Sequence, residues 1–314
     1  MSVFLKAEHV LPIRERDWIW QGWQIRYGFA RSPQVSPEAV PILLIHGFGS
    51  SLQQWSRTIG ALSQTHPVYA LDLLGFGASE KAATTYNVNF WAQQVYQFWT
   101  QFLRCPMIIV GHSLGALVAA TVAATYPEIV QRVVLMTLPA TRQDIVSSPL
   151  AQKTLGRIEQ LAILPPTVRA IFTVARQPSL IRRVLRSVYV RSDDVTDELV
   201  EQFVTPTRDR GAAQTLCRLT QAATDTDYSQ SRVKLLNKLT STHPTLILWG
   251  ECDRIIPFNQ GVELHRQFPR ITWHPVPNAG HCLYDECADF VNQAILSWIG
   301  DRHTPLQPEP KEKI

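Results

Sequence analysis

Three residues with the means to do chemistry stand in short glycine-containing segments. Gly111-His112-Ser113-Leu114-Gly115 lies between the apolar run Met107 to Val110 and the helical pattern Leu114 to Tyr126. A serine at a strand-to-helix turn with this G-x-S-x-G spacing is held in a strained backbone conformation that exposes its hydroxyl, and the flanking glycines remove Cβ atoms that would clash. The helix start beneath it offers N–H groups to developing negative charge. A neutral hydroxyl is a poor nucleophile, so this reading demands a general base, itself oriented by a buried acid.

Both partners have candidates downstream. Thr245 to Trp249 reads as a strand, and the loop Gly250-Glu251-Cys252-Asp253 follows it, with Asp253 the expected acid and Glu251 its local competitor. Asn278-Ala279-Gly280-His281 follows the strand-like Ile271 to Pro275, which places His281 at the same sheet edge as the expected base. His274, inside that strand, reads as a strand residue. The resulting chain order is Ser113, Asp253, His281.

These residues need a frame. Short apolar runs at Val68 to Asp72, Met107 to Val110, Val133 to Thr137 and Thr245 to Trp249 fit strands buried on both faces. Helical patterns such as Phe90 to Leu103 and Leu114 to Tyr126 separate several of them, which makes the chain α/β with a mostly parallel central sheet. Upstream, Trp18 to Trp23, Gln24 to Phe29 and Val40 to Ile45 read as further strands. From about 141 to 234 the strand signal gives way to proline-separated helical stretches, an inserted cap between core segments 1–140 and 235–300. Residues 301–314 read as a frayed tail.

Four motifs give the chain its resemblance to the α/β-hydrolase fold superfamily of capped serine hydrolases. They are His46-Gly47-Phe48-Gly49, the run Asp72 to Ser79 (DLLGFGAS), the turn at Ser113, and the Asp253 and His281 loops. The resemblance implies that the N–H groups of Phe48 and Leu114 form an oxyanion hole. It implies a cofactor-independent hydrolase that cleaves a carboxylic ester or related acyl bond through Ser113, His281 and Asp253. Some relatives carry the acid after the strand that precedes the cap, where this chain has Leu138-Pro139, which favours Asp253. Serine rather than aspartate at 113 disfavours epoxide hydrolase and haloalkane dehalogenase chemistry, whereas carbon–carbon bond hydrolases and cofactor-free haloperoxidases share the triad. A ligand receptor that keeps an intact triad is the alternative from another class. The stretches Asp72 to Lys81 and Val195 to Ala212 are similar to pheophytinase-like and chlorophyll-dephytylase-like hydrolases, implying an apolar substrate such as a long-chain or phytyl ester. Trp55, Leu283, Phe48 and apolar faces of the cap are the candidate pocket.

Other readings narrow the field. The Gly-x-Gly pairs at 47 and 75 lack the third glycine of a dinucleotide loop, and no metal-ligand spacing occurs, so no cofactor or metal is expected. His46 is expected to brace its own loop, and His112 to pack at the helix start. Thirty Lys+Arg against twenty-six Asp+Glu give a net charge of only +4, far from a nucleic-acid binder. That excess falls in the cap, where Lys153, Arg157, Arg169, Arg176, Arg182, Arg183, Arg186 and Arg191 face one acid, Glu159; either acids at 193–201 balance this face or it rests on an anionic membrane. Five cysteines without a C-x-x-C pair, no apolar leader pattern at the N-terminus and no spanning run suggest a reducing, cytoplasmic location, with the cap able to touch a membrane.

Overall fold

The computed structural model describes residues 13–145 and 171–301. The expected tail from 302 onward, and Lys153, Arg157, Glu159 and Arg169 of the cap, lie outside the described residues. Eight strands form one sheet in the order β1-β2-β4-β3-β5-β6-β7-β8. They are β1 Arg14–Trp20, β2 Trp23–Ala30, β3 Ile42–Ile45, β4 Val68–Leu71, β5 Met107–His112, β6 Val130–Met136, β7 Thr245–Gly250 and β8 Thr272–Val276. The β1–β2 and β2–β4 pairs are antiparallel, and every pair from β4 to β8 is parallel. The chain is thus α/β with a mostly parallel sheet, as its alternating pattern predicts. One run is corrected: Trp18 to Trp23 is not a single strand but spans the β1–β2 hairpin turn, where Gln21 and Gly22 take φ of 50° and 88°. Two successive left-handed residues give a turn whose twist matches the strands it joins.

Strand residues alternate between two apolar cores. Leu43, Ile45, Ile109, Leu135 and Ile247 pack on one face, with Val95 and Phe98 of helix Val88–Phe98, helix Leu114–Thr125 and Leu236 of helix Arg232–Thr242. Ile42, Leu44, Ile108, Val134 and Leu246 pack on the other, with Ile59 of helix Ser56–Leu62 and Val291 of helix Ala288–Gly300. Burial on both faces is why these strands read as continuous apolar runs. Helix Leu114–Thr125 is buried from Leu114 to Ala123, so it has no polar face to show.

Between β6 and β7 the described residues form only helices, chiefly Pro178–Val188, Asp197–Val204, Ala212–Ala223 and Arg232–Thr242. Their charges partly cancel within the insertion: Arg182 pairs with Asp197, Arg191 with Asp194 and Arg208 with Glu201. Among the described residues Arg176, Arg183 and Arg186 make no ion pair. No described helix is long and apolar enough to cross a membrane.

Asp72, after β4, organises the loops above the sheet. It is buried, and its carboxylate accepts from Leu52 N at 2.6 Å and Ala78 N at 2.7 Å. Gly77, at φ +50°, wraps so closely that a Cβ there would stand 2.1 Å from Asp72 Oδ2. The second Gly-x-Gly pair therefore encloses a carboxylate of the protein itself. Burial pushes the Asp72 carboxyl up to about 7, against the pull of the Ala78 and Leu52 amides. Removing the carboxylate strands the buried Leu52 amide and the part-buried Ala78 amide, so Asp72→Ala should lose on the order of 3 kcal/mol, read as a lower urea midpoint.

Candidate active site

The loops that carry His46, Ser113, Asp253 and His281 follow β3, β5, β7 and β8, so all four stand at the carboxyl edge of the parallel sheet, where open α/β sheets bind ligands. Ser113 itself sits at φ 53° and ψ −117°, a region that residues with a Cβ rarely occupy and that costs about 1–3 kcal/mol. Its neighbours leave the chain no other course. A Cβ on Gly111 would stand 2.1 Å from Gly115 O, and one on Gly115 would stand 2.2 Å from Ile45 O. The Ser113 amide is anchored to Met136 O at 2.9 Å.

His281 Nδ1 lies 2.9 Å from Asp253 Oδ2. The other oxygen, Asp253 Oδ1, accepts from Ile255 N at 2.8 Å and Ile256 N at 2.9 Å, and the Asp253 side chain has no exposed surface. A buried carboxylate satisfied in this way fixes the imidazole in the tautomer that leaves Nε2 bare. Glu251 is exposed, and its side chain makes no hydrogen bond or ion pair with the imidazole. The two loops are stitched together by Cys252 N to Ala279 O at 2.9 Å and Glu251 N to Val276 O at 3.1 Å. His274 is half-buried on β8. The Ser113 hydroxyl makes no hydrogen bond to a described residue.

The predicted oxyanion donors are both unoccupied: neither Phe48 N–H nor Leu114 N–H donates to a described residue. His46 accounts for the first. Leu73 N donates to His46 Nε2 at 3.0 Å, so the ring proton is on Nδ1, which donates to Gly47 O at 2.7 Å. In a trans peptide the C=O and N–H point to opposite sides, so the ring that holds the Gly47 carbonyl turns the Phe48 N–H away from itself. That loop abuts the serine, because a Cβ on Gly47 would lie 3.4 Å from Ser113 Cβ. The expectation that His46 braces its own loop is met.

The pocket expectation is corrected. Trp55 and Leu283 have no exposed surface and belong to the core on one sheet face, where Trp55 packs on Tyr284 at 5.2 Å. Their apolar bulk, read as a pocket wall, fills space under the loops instead. Phe48, half exposed, does line a cavity of about 130 Å³, together with Phe76, Phe172, Phe203, Leu216 and Leu219. A larger cavity of about 300 Å³ between Ser51, Arg57, Asp194 and Glu198 is polar; Phe203 and Tyr284 reach it, but Ser113, Asp253, His281, Phe48 and Leu114 do not line it.

Glu286 is a contributor that sequence reasoning missed. Its carboxylate accepts from Gly280 N at 3.0 Å and Val190 N at 2.7 Å, tying the His281 loop to the insertion. No local pattern in the sequence marks this contact. Among the described residues no group of three or more His, Cys, Asp or Glu side chains is placed to hold a metal ion.

A strained serine turn at the carboxyl edge of an eight-stranded, mostly parallel sheet, with helices on both faces, defines the class as α/β hydrolase fold. The chain belongs to that family, whose model, described as alpha/beta hydrolase fold, matches residues 40–287. It is 28% identical over 259 residues to the dihydrolipoyllysine-residue acetyltransferase component of the acetoin cleaving system from Pseudomonas putida, covering 82% of this chain and 63% of that protein. Against chloroplastic pheophytinase from Arabidopsis thaliana it is 22% identical, covering 88% of this chain and 64% of that protein. The chain therefore spans less than two thirds of the length of these two relatives. Among solved structures, a bacterial membrane phospholipase A matches with TM-score 0.69 and 26% identity, covering 91% of this chain and 86% of that one.

Burial drives the His46 ring down to about 4, against the opposing Gly47 bond. A depressed histidine is neutral in the native state but protonated when unfolded between about 4 and 6.5, so its contribution to stability is lost as pH falls through that window. His46→Asn keeps a donor for Gly47 O without the titrating ring. The stability gap between wild type and variant should therefore shrink from pH 7 toward pH 4, by an amount on the order of 3 kcal/mol, in urea titrations.

Proposed function

We propose that the protein is a cofactor-independent serine hydrolase that cleaves a carboxylic ester of an apolar acid or alcohol. The carrying observation is the fixed His281–Asp253 pair at the same sheet edge as the strained Ser113. Ser113 Oγ attacks the ester carbonyl while His281 Nε2 takes its proton; the Phe48 and Leu114 N–H groups receive the oxyanion. The tetrahedral intermediate collapses as His281 returns the proton to the departing alkoxide, leaving an acyl-serine. Water then attacks the acyl carbon with His281 again as base, releasing the acid and regenerating Ser113. Asp253 remains ionised and holds the imidazolium.

The apolar side of the substrate follows from the slot beside Phe48. Phe76, Phe172, Phe203, Leu216 and Leu219 give it a mainly apolar wall, broken by Lys81, Thr207 and Thr215. Similarity to proteins named pheophytinase and membrane phospholipase A supports a long-chain or phytyl ester here. Arg176, Arg183 and Arg186, without an ion-pair partner among the described residues, and exposed Val184 suit delivery of such a substrate from an anionic membrane surface.

Steady-state kinetics on p-nitrophenyl esters test the assignment. Ser113→Ala should lose 10⁴- to 10⁶-fold in kcat, on the order seen for a nucleophile that acts as one unit with its base. Asp253→Asn should lose roughly 10⁴-fold and Glu251→Gln almost nothing. Full activity in Ser113→Ala, or the opposite ranking of the two acids, would move the chemistry elsewhere.

Chain length tests the slot. With acyl groups of rising length, kcat/KM should climb by up to about fourfold per methylene, the equivalent of roughly 0.8 kcal/mol for each buried CH₂. A flat or falling series would place the apolar part of the substrate outside this cavity.

A further inference from the structure

We infer that His112, the residue before Ser113, is a positioning residue that ties the backbone of His281 directly to the nucleophile turn. The inference rests on the assignment of Ser113 and His281 as nucleophile and base.

His112 Nε2 lies 2.9 Å from the His281 carbonyl, a buried contact between residues 169 positions apart. A carbonyl only accepts, so Nε2 carries the proton and donates it, and Nδ1 is the bare nitrogen. That bare nitrogen is buried and has no hydrogen-bond partner. A side chain present only to fill space would be apolar. Here an acceptor is left unpaired in a closed pocket while the opposite edge of the same ring makes one bond, to the backbone of the base.

The ring has little room to turn. Its centroid lies 4.7 Å from that of His281 and 4.8 Å from that of Tyr284, and a Cβ on Gly47 would stand 2.8 Å from Nδ1. His112 ends β5 and Ser113 follows it, so the two move as one rigid piece. The remaining holds on the His281 loop come from other directions: Asp253 on the imidazole, Glu286 on Gly280 N and Cys252 on Ala279 O. Only His112 connects the serine turn to the His281 residue itself among the described hydrogen bonds. Gly47 then has a second reason to lack a side chain, because a methyl there would displace the ring.

The test separates the donor from the ring. His112→Phe keeps a planar ring without the N–H. His112→Gln sets an amide N–H near the place of Nε2, and His112→Asn sets one near Nδ1, out of reach of the carbonyl. With p-nitrophenyl acetate, His112→Phe and His112→Asn should each lose about 10- to 100-fold in kcat with KM little changed, as for a base displaced by a fraction of an ångström, and His112→Gln should recover most of the loss. Thermal unfolding identifies any variant that fails to fold, and the remaining donor-lacking variant then carries the comparison. Wild-type kcat in a folded Phe or Asn variant, or equal loss in Gln, would overturn the role. The ¹H–¹⁵N resonance of the His281 Nδ1 proton bonded to Asp253 gives a readout that needs no turnover. It should shift in the Phe and Asn variants and return in Gln, even if the wild type hydrolyses no ester. An unchanged resonance in all three variants would equally overturn the role.

Discussion

The approach of Gly115 to the carbonyls of Ile45 and His46 decides where the rest of the site stands. A methyl at this position would stand 2.2 Å from Ile45 O and 2.5 Å from His46 O, so helix Leu114–Thr125 can press onto the end of β3 only because residue 115 has no side chain. With the helix seated there and β5 in register beside β3, the chain between them must turn within one residue. Ser113 absorbs that turn at positive φ. The same seating brings the Gly47 loop against the serine, where a Cβ on Gly47 would lie 3.4 Å from Ser113 Cβ.

The other loops are held by polar contacts that leave little to chance. Neutral His46 spans Gly47 O and Leu73 N, and Asp72 spans Leu52 N and Ala78 N, so the loops after β3 and β4 are locked to each other. The insertion is fastened to this frame by a small number of charged grips. The nearly buried Lys81 ammonium meets Gly77 O, Ser79 O and the Asp209 carboxylate, and Glu286 joins Val190 N to Gly280 N. Lys81 also lines the slot beside Phe48, whose wall combines Gly75 and Phe76 after β4 with Phe203, Leu216 and Leu219 from helices between β6 and β7.

Much of this was legible in the sequence, for physical reasons that can be named. Strands buried on both faces read as short apolar runs, and a strand-to-helix serine turn requires glycines at fixed offsets, so β5, β6, β7 and the turn at Ser113 were visible. Asp253 was distinguishable from Glu251 only by its distance past β7, and burial separates them in the structure. What pattern could not show was the destination of large apolar side chains. Trp55 and Leu283 carry the composition of a pocket wall, yet packing against Tyr284 and the core takes them out of reach of solvent. Contacts between distant loops were equally invisible: nothing local marks Glu286 as the acceptor of Val190 N, or His112 as a donor to a carbonyl 169 residues away.

The central claim is that Ser113 is an activated nucleophile. Incubation of the folded wild-type protein with a fluorophosphonate, followed by mass spectrometry of its proteolytic peptides, tests this without knowledge of the natural substrate. The account predicts one adduct per chain, carried on Ser113 and lost when the protein is unfolded before exposure. An unmodified Ser113, or an adduct on another residue, would contradict it.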